Sequence, residues 1–387
     1  MVKAGRQRVF EEHLEATSPI VGDDGPLVGE AVVHLRLPAA QRAPAPELKE
    51  LSRLRASLLE TAAARQAQVF SPGAQWLFLK LYYGPGLGSH PETRSFIDDD
   101  LLGRFVAPLI SELEKAGRLA GFHFVRYADP EAHLRLRLLP REGPALALLE
   151  HLRERLDEQA QAGGFSKWVV ATYEREVDRY GGPELIAAAE RLFTSDSRLC
   201  LRILAAVHKD TLEPETDLQV LLPLRSLNTL YRSFGYDLAA RRECFSQLRR
   251  AHEQARPLSA AAKGELDAKY RQHSRAAQSL LLAMEGRDAG GEAPFSRRKD
   301  VAAWFRVYEQ AAREIAAVYH AAEQRGACSR PIGEVLQSVS HLHCNRLLGA
   351  LELEYEAIYM CQRAVEAVHA RLSSEQGRRT KDRAEDC

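Results

Sequence analysis

No stretch of the chain comes near the roughly 18 consecutive apolar residues that a membrane span needs. Candidates such as 218–224 are interrupted by Gln219 and Pro223 and closed by Arg225. The start carries Lys3, Arg6 and Arg8, but Glu11, Glu12 and Glu15 follow where a secretory signal would have its apolar core. Charge of one sign is missing as well: 53 Lys and Arg balance 53 Asp and Glu. That balance excludes a global basic field for nucleic acid or anionic lipid. Only six cysteines occur in 387 residues, widely spread and without a C-x-x-C. They read as reduced thiols, against a disulfide frame or a zinc site. Gly84-Pro85-Gly86-Leu87-Gly88 lacks both the Lys-Ser/Thr of a phosphate loop and the helix opening of a dinucleotide motif, so it reads as a turn. G-x-S-x-G and H-E-x-x-H are absent too. These absences describe a cytoplasmic protein with no metal, no other cofactor, no membrane contact and no direct nucleic-acid contact.

What is present is an ordinary globular composition, 45% hydrophobic and 27% charged, which excludes disorder as the dominant state. Residues 1–73 read as an N-terminal appendage and linker. They hold a candidate strand at 31–37, a Pro- and Ala-rich stretch at 38–46, a helical run at 47–67 and the loop Ser71-Pro72-Gly73. A main domain spans 74–372. Residues 373–387 are dense in charge and read as a disordered tail.

Within the main domain, period-2 patterns predict strands at 76–83, 122–127, 133–138 and 167–173. Helical spacing marks 98–115 and 144–161 between them. Beyond Gly182, Leu and Ala recur at three- and four-residue spacing over 183–208, 223–253, 261–284, 301–324 and 332–372. The expected fold is α+β: a mixed or antiparallel sheet with flanking helices, followed by a largely helical C-terminal half.

Three clusters could carry chemistry. In H-L-R-L-R-L at 133–138, strand alternation puts His133, Arg135 and Arg137 on one face and three leucines on the other. A solvated strand at a sheet edge gives the same pattern. Two arginines at i and i+2 nevertheless repel unless an anion lies near them, and their planar forks suit a carboxylate or phosphate. Residues 173–182 (YEREVDRYGG) sit at the end of a strand, where active residues are common; self-paired charges of a solvated connector are the alternative. In S-H-L-H-C-N-R, His341 and Asn345 share a helix face, while His343 points elsewhere, so a shared metal is disfavoured. A buried, hydrogen-bonded core histidine is the plain alternative for His341.

Taken in order, WLFLKLYY at 76–83, FVRYADPEAHLRLRL at 124–138, ATYEREVDRYGG at 171–182, AERLFTSDS at 189–197 and SHLHCNRLLG at 340–349 resemble the C-terminal elimination domain of lanthipeptide dehydratases. The same domain occurs as stand-alone thiopeptide-type bacteriocin biosynthesis proteins. Gly121-Phe122-His123-Phe124 departs from the family, which usually has a Trp and bulky aromatic residues there. The resemblance implies that a separate glutamyl-tRNA-dependent protein glutamylates Ser or Thr of a precursor peptide, because the large glutamylation domain is missing from residues 1–73. This chain would then remove glutamate by β-elimination, leaving dehydroalanine or dehydrobutyrine. Carried over by motif, Arg135, Arg137 and Arg175 bind the glutamate carboxylates and the developing charge, and His341 moves protons. Lys80, Tyr82 and His133 are candidates for substrate contact. Some relatives are instead pyridine synthases, which join two dehydroalanines and expel the leader peptide. Their substrate has no glutamyl carboxylates, so the retained arginines and histidine favour elimination. A peptide-binding scaffold is the non-enzymatic alternative. The sequence leaves a homodimer open.

Overall fold

The computed structural model describes residues 21–22, 25–26, 68–84, 99–129, 131–209 and 211–385. The chain divides into two units, residues 1–65 and 66–387. In the first, the described residues form one short antiparallel pair, Val21–Gly22 with Gly25–Pro26. The strand expected at 31–37, the helical run at 47–67, most of the turn at 84–88, and Cys387 lie outside the described residues.

In the second unit a short strand, Val69–Phe70, precedes the first strand of the main sheet, β1, Leu77–Tyr82. A wide-wound turn, Leu102–Val106, leads into α1, Ala107–Lys115. Then follow β2, Leu119–Tyr127, β3, His133–Pro140, α2, Ala145–Gln161, and β4, Lys167–Val170. The sheet order is β2-β3-β1-β4 and every pairing is antiparallel. Leu77, Leu79 and Leu81 face Leu138, Leu136 and Leu134 across the β1–β3 pair, and Phe122 and Phe124 continue two of these rows into β2. All eight side chains are fully buried; at about 1.5–3 kcal/mol each, they fix which way the sheet faces. The opposite face therefore carries Phe78, Lys80 and Tyr82, then Arg137, Arg135 and His133, then His123, Val125 and Tyr127, in three cross-strand rows.

The strand expected over 167–173 stops at Val170. Tyr173 turns away to pack its ring against Trp76 and Phe78, and Tyr173–Glu174 pairs instead with Val69–Phe70.

From there the chain is helical: α3, Ile186–His208, a wide-wound segment Pro214–Leu221 running into α4, Leu222–Ser233, then α5, Leu238–Ala255, and α6, Ala260–Met284. The last three are α7, Lys299–Gln324, α8, Ile332–Leu348, and α9, Leu351–Glu385. The periodic runs 223–253 and 332–372 are each two helices. They break at Gly235 and Gly349, whose φ values of 82° and 77° only glycine adopts freely. At Gly349 a Cβ would also stand 3.0 Å from Arg126 Nη1, so the helix end lies against that side chain. Helix α9 runs on to Glu385 and so takes in residues 373–385 of the charged stretch. Its Glu, Arg, Lys and Ala are good helix formers.

Strand β2 is one edge of the sheet, and side chains from the helical half close it. Phe122 N and Phe124 N donate to Thr194 and Ser197 of α3, at 3.2 and 3.3 Å. Arg126 N donates to Asn345 Oδ1 at 2.9 Å, and Phe124 O accepts from Arg346 Nε at 2.9 Å, both on α8. Unpaired edge groups are thus satisfied, and α8 is held at one register along the sheet. Behind this seam Asp196, fully buried, accepts from Arg346 Nη1 at 2.7 Å and from His343 Nδ1 at 2.6 Å. Burial by itself would raise the Asp196 carboxyl, but His343 and Arg346 hold it below its ordinary value. A carboxylate depressed on folding contributes stability above its unfolded pKa, and loses it as pH falls through the folded one. Asp196→Asn should destabilise the fold by about 3–5 kcal/mol at neutral pH. It should also flatten the acid limb of stability below about pH 4. Urea unfolding across a pH series measures both, and an unchanged midpoint would refute this account of the seam.

Candidate active site

The polar sheet face and the N-terminal end of α9 enclose, with α8, a cavity of about 680 Å³. Lys80 of β1 and Arg135 and Arg137 of β3 form one wall; His341 and Arg346 of α8 and Glu354 of α9 stand in others. Four of the seven residues singled out from sequence, Lys80, Arg135, Arg137 and His341, therefore reach one cavity. Arg175, Tyr82 and His133 do not line it.

The cationic wall follows from strand register, which sets Lys80 beside Arg135 and Phe78 beside Arg137. The Arg137 guanidinium lies 4.4 Å from the Phe78 ring centre and 4.6 Å from that of Tyr173, packed in the corner that these two rings make at 74° to each other. Arg135 lies on the Tyr127 ring and donates Nε–H to His133 Nε2 at 3.2 Å. With Nε2 accepting, His133 carries its proton on Nδ1 and donates it to Glu131 O at 2.7 Å. His133 thus orients Arg135 from below. Among the described residues, none of Lys80, Arg135 and Arg137 forms an ion pair with a carboxylate. Burial and then the two arginine charges lower Lys80 from its ordinary value; burial foremost lowers Arg137, to about 10, which leaves it charged at neutral pH. Glu174, Glu176 and Glu354 also line the cavity, and the Glu176 charge acts on Arg137 through space, but with no carboxylate paired directly to the three cations their donors are open to an anion.

Facing them, His341 is 40% exposed at its side chain and hydrogen-bonds through Nδ1 to Glu354 Oε2 at 2.8 Å. Glu354 is buried, and also accepts from His252 Nε2 at 3.3 Å. Burial pushes its carboxyl up, yet hydrogen bonds from the two imidazoles and their charge outweigh that and hold it below its ordinary value. An ionised carboxylate on Nδ1 leaves Nε2 as the free nitrogen of His341. One turn on, Asn345 is bonded both ways to the backbone of Arg126, Nδ2 donating to its carbonyl at 3.0 Å, which fixes the height of His341 over the sheet.

Arg175 has a different place from the one its motif implies. Its fork is filled by Glu190 of α3, Nε to Oε1 at 2.7 Å and Nη2 to Oε2 at 2.6 Å, and it stacks on Phe70. Tyr173 donates to the same carboxylate at 2.9 Å, so Arg175 and Glu190 together hold the ring that flanks Arg137. Tyr82 packs on His133, and Lys167 Nζ lies 4.5 Å from its ring centre.

Sequence reasoning missed His123, Tyr173, Arg346 and Glu354. His123 lies opposite Arg137 in β2, fully buried among the rings of Trp76, Tyr173 and Phe193. Burial, then the charges of Arg137, Arg346 and Arg175, push it well below its ordinary value, so it is neutral. Its alternation with the buried Phe122 and Phe124 was the signal available. Asp196, Cys200 and His343 are the three-residue group with metal-like proximity among the described residues. Asp196 already spends both oxygens on His343 and Arg346, His343 Nε2 lies 2.6 Å from Ser226 Oγ, and burial raises the Cys200 thiol well above its ordinary value. A protonated thiol and a satisfied carboxylate make a packing network, not a ligand set.

Comparison with known proteins gives a consistent picture. The family model described as lantibiotic biosynthesis dehydratase C-term matches residues 76–365. The subtilin biosynthesis protein SpaB of Bacillus subtilis is 24% identical over 300 residues, which are 76% of this chain and 26% of that protein. The chain thus spans about a quarter of that relative's length. The crystal structure of the tRNA-dependent lantibiotic dehydratase MibB from Microbispora sp. 107891 superposes with a TM-score of 0.59 at 22% identity, covering 78% of this chain and 29% of that one. The pyridine synthase TbtD from thiomuracin biosynthesis superposes at 0.50 and 15% identity, covering 76% and 99%. At these identities the structural matches show a shared fold.

Proposed function

Because this chain belongs to the family of lantibiotic biosynthesis dehydratase C-terminal domains, we propose that it catalyses glutamate elimination from glutamylated Ser or Thr residues of a precursor peptide. One observation carries the reading: three cations without a carboxylate partner and the His341–Glu354 pair open on a single cavity. A β-elimination needs a base for the Cα proton and cations for the charge that develops on the carbonyl and the leaving carboxylate. His341 Nε2 takes the Cα proton; the electron pair forms the Cα–Cβ double bond as the Cβ–O bond breaks. Glutamate departs as a carboxylate, held by Arg137 and Arg135 with Lys80 beside them. The imidazolium, stabilised by Glu354, then returns its proton to water. Arg175 serves at one remove, by fixing Glu190 and Tyr173. The glutamyl group comes from a separate glutamyl-tRNA-dependent protein, and no metal or nucleotide takes part in this step.

The test is direct. The purified protein is incubated with a glutamylated peptide and followed by mass spectrometry for loss of glutamate, with and without exhaustive EDTA dialysis. Turnover unaffected by the chelator is expected. A protein that ignores this peptide but cyclises one bearing dehydroalanines and releases its leader is a pyridine synthase. One that binds both without changing either is a scaffold.

A further inference from the structure

A second cavity, of about 820 Å³, lies between α5, α6 and the start of α9. It shares His341, Leu351 and Glu354 with the first, so the two are separated by one wall. Glu354 bonds His341 on that wall and His252 inside the second cavity. Away from the wall the lining is apolar, supplied by Leu248, Ala251, Ala255, Leu258 and Leu266. Two charge pairs also line it, Arg256–Glu352 at 3.2 Å and Lys269–Glu356 at 2.5 Å, each satisfied by its own partner. With those two pairs neutralising themselves, Glu265 and Glu354 are the carboxylates of the lining that oppose an acidic occupant. Leu351, 43% exposed, is a large apolar side chain left open on the shared wall.

We propose that this second cavity is the subsite for an apolar side chain of the substrate peptide, on the residue next to the one undergoing elimination. The proposal rests on the elimination reading above. Continuity with the reactive cavity identifies the occupant. In an extended peptide successive side chains point to opposite sides, about 3.3 Å apart along the chain. A chain that sends its glutamylated side chain into the cationic cavity sends the neighbouring one to the other side of the wall. Sequence preference around the modified residue is then set here, beside the base, rather than among the arginines that grip the leaving group.

Ala255 and Ala262 line the cavity from helix surfaces, so Ala255→Trp and Ala262→Trp fill it without entering the core. Elimination kinetics on glutamylated peptides carrying Leu, Gly or Asp beside the reactive residue test the proposal. For the unsubstituted protein, Leu should be favoured over Gly about tenfold in kcat/KM, the scale of burying one aliphatic side chain, and Asp should be the poorest. In both Trp variants the Leu-over-Gly ratio should fall to near one. A ratio that starts near one, or that survives both substitutions, overturns the proposal. Binding of the same peptides, read by fluorescence anisotropy, should show the same Leu preference even if no glutamate is released; that separates failure of the subsite from failure of the elimination reading. A change of sedimentation behaviour in the Trp variants, with peptide preference intact, would assign the cavity to contact with a second copy of the chain and overturn it equally.

Discussion

Arg137→Lys should slow glutamate elimination about 100-fold, the scale of losing one preorganised donor to a developing charge, and glutamylated peptide should accumulate. Lysine keeps the positive charge. It loses the planar fork that grips a carboxylate with two parallel N–H bonds, and the guanidinium that packs against both Phe78 and Tyr173. Stability should change little, because no acid partner of Arg137 is left unpaired among the described residues. A matched change at an exposed arginine, Arg313→Lys, where Arg313 pairs with Glu309 on the surface of α7, is the control and should leave the rate unaltered. Mass spectrometry of one peptide treated with each variant measures the difference. Wild-type turnover by Arg137→Lys would mean that the row of cations is a structural feature of the strand.

The strand faces were legible from sequence because a period of two admits one assignment once three leucines and three polar residues alternate. His133-Leu134-Arg135-Leu136-Arg137-Leu138 and Leu77 to Tyr82 both sort as expected, leucines to the core. What alternation cannot show is which strand lies beside which, and that register is what sets Lys80 next to Arg135 and His123 next to Arg137. The surroundings of Arg175 were not legible for a related reason. Its motif looked complete, but its partner Glu190 lies fifteen residues on, and only the packing of α3 brings the two together. Asn345 and Arg346 looked like neighbours of a candidate base; their work is to bond the open edge of β2, some 220 residues away in sequence. Helix ends at Gly235 and Gly349 could have been marked, since glycine after a periodic run is the commonest stop signal. Glu354 left no signal at all: one glutamate among Glu352, Glu354 and Glu356 is buried because of how α9 lies against α8.

His341→Ala should reduce elimination by on the order of 10² to 10⁴, the usual contribution of a positioned general base. The rate of the unsubstituted protein should fall as pH drops, because a protonated imidazole cannot accept the Cα proton. Glu354 could in principle share that limb. Its carboxyl is held below the ordinary range, however, so it stays ionised until the pH is more acidic than a free glutamate would require, and a loss of rate that sets in while Glu354 is still ionised is not due to it. Glu354→Gln separates the two groups. The amide can still bond Nδ1, but without its negative charge protonating the neighbouring imidazole becomes harder, so the acid limb should move to lower pH while the maximal rate falls. His343→Ala should behave differently again: His343 is buried against Asp196 and Ser226, so its loss should lower the melting temperature and leave the position of the limb unchanged in the protein that remains folded. The rate of each variant on one glutamylated peptide across a pH series tests all three. A limb that persists unmoved in His341→Ala would remove His341 as the base and direct attention to another group in the cavity.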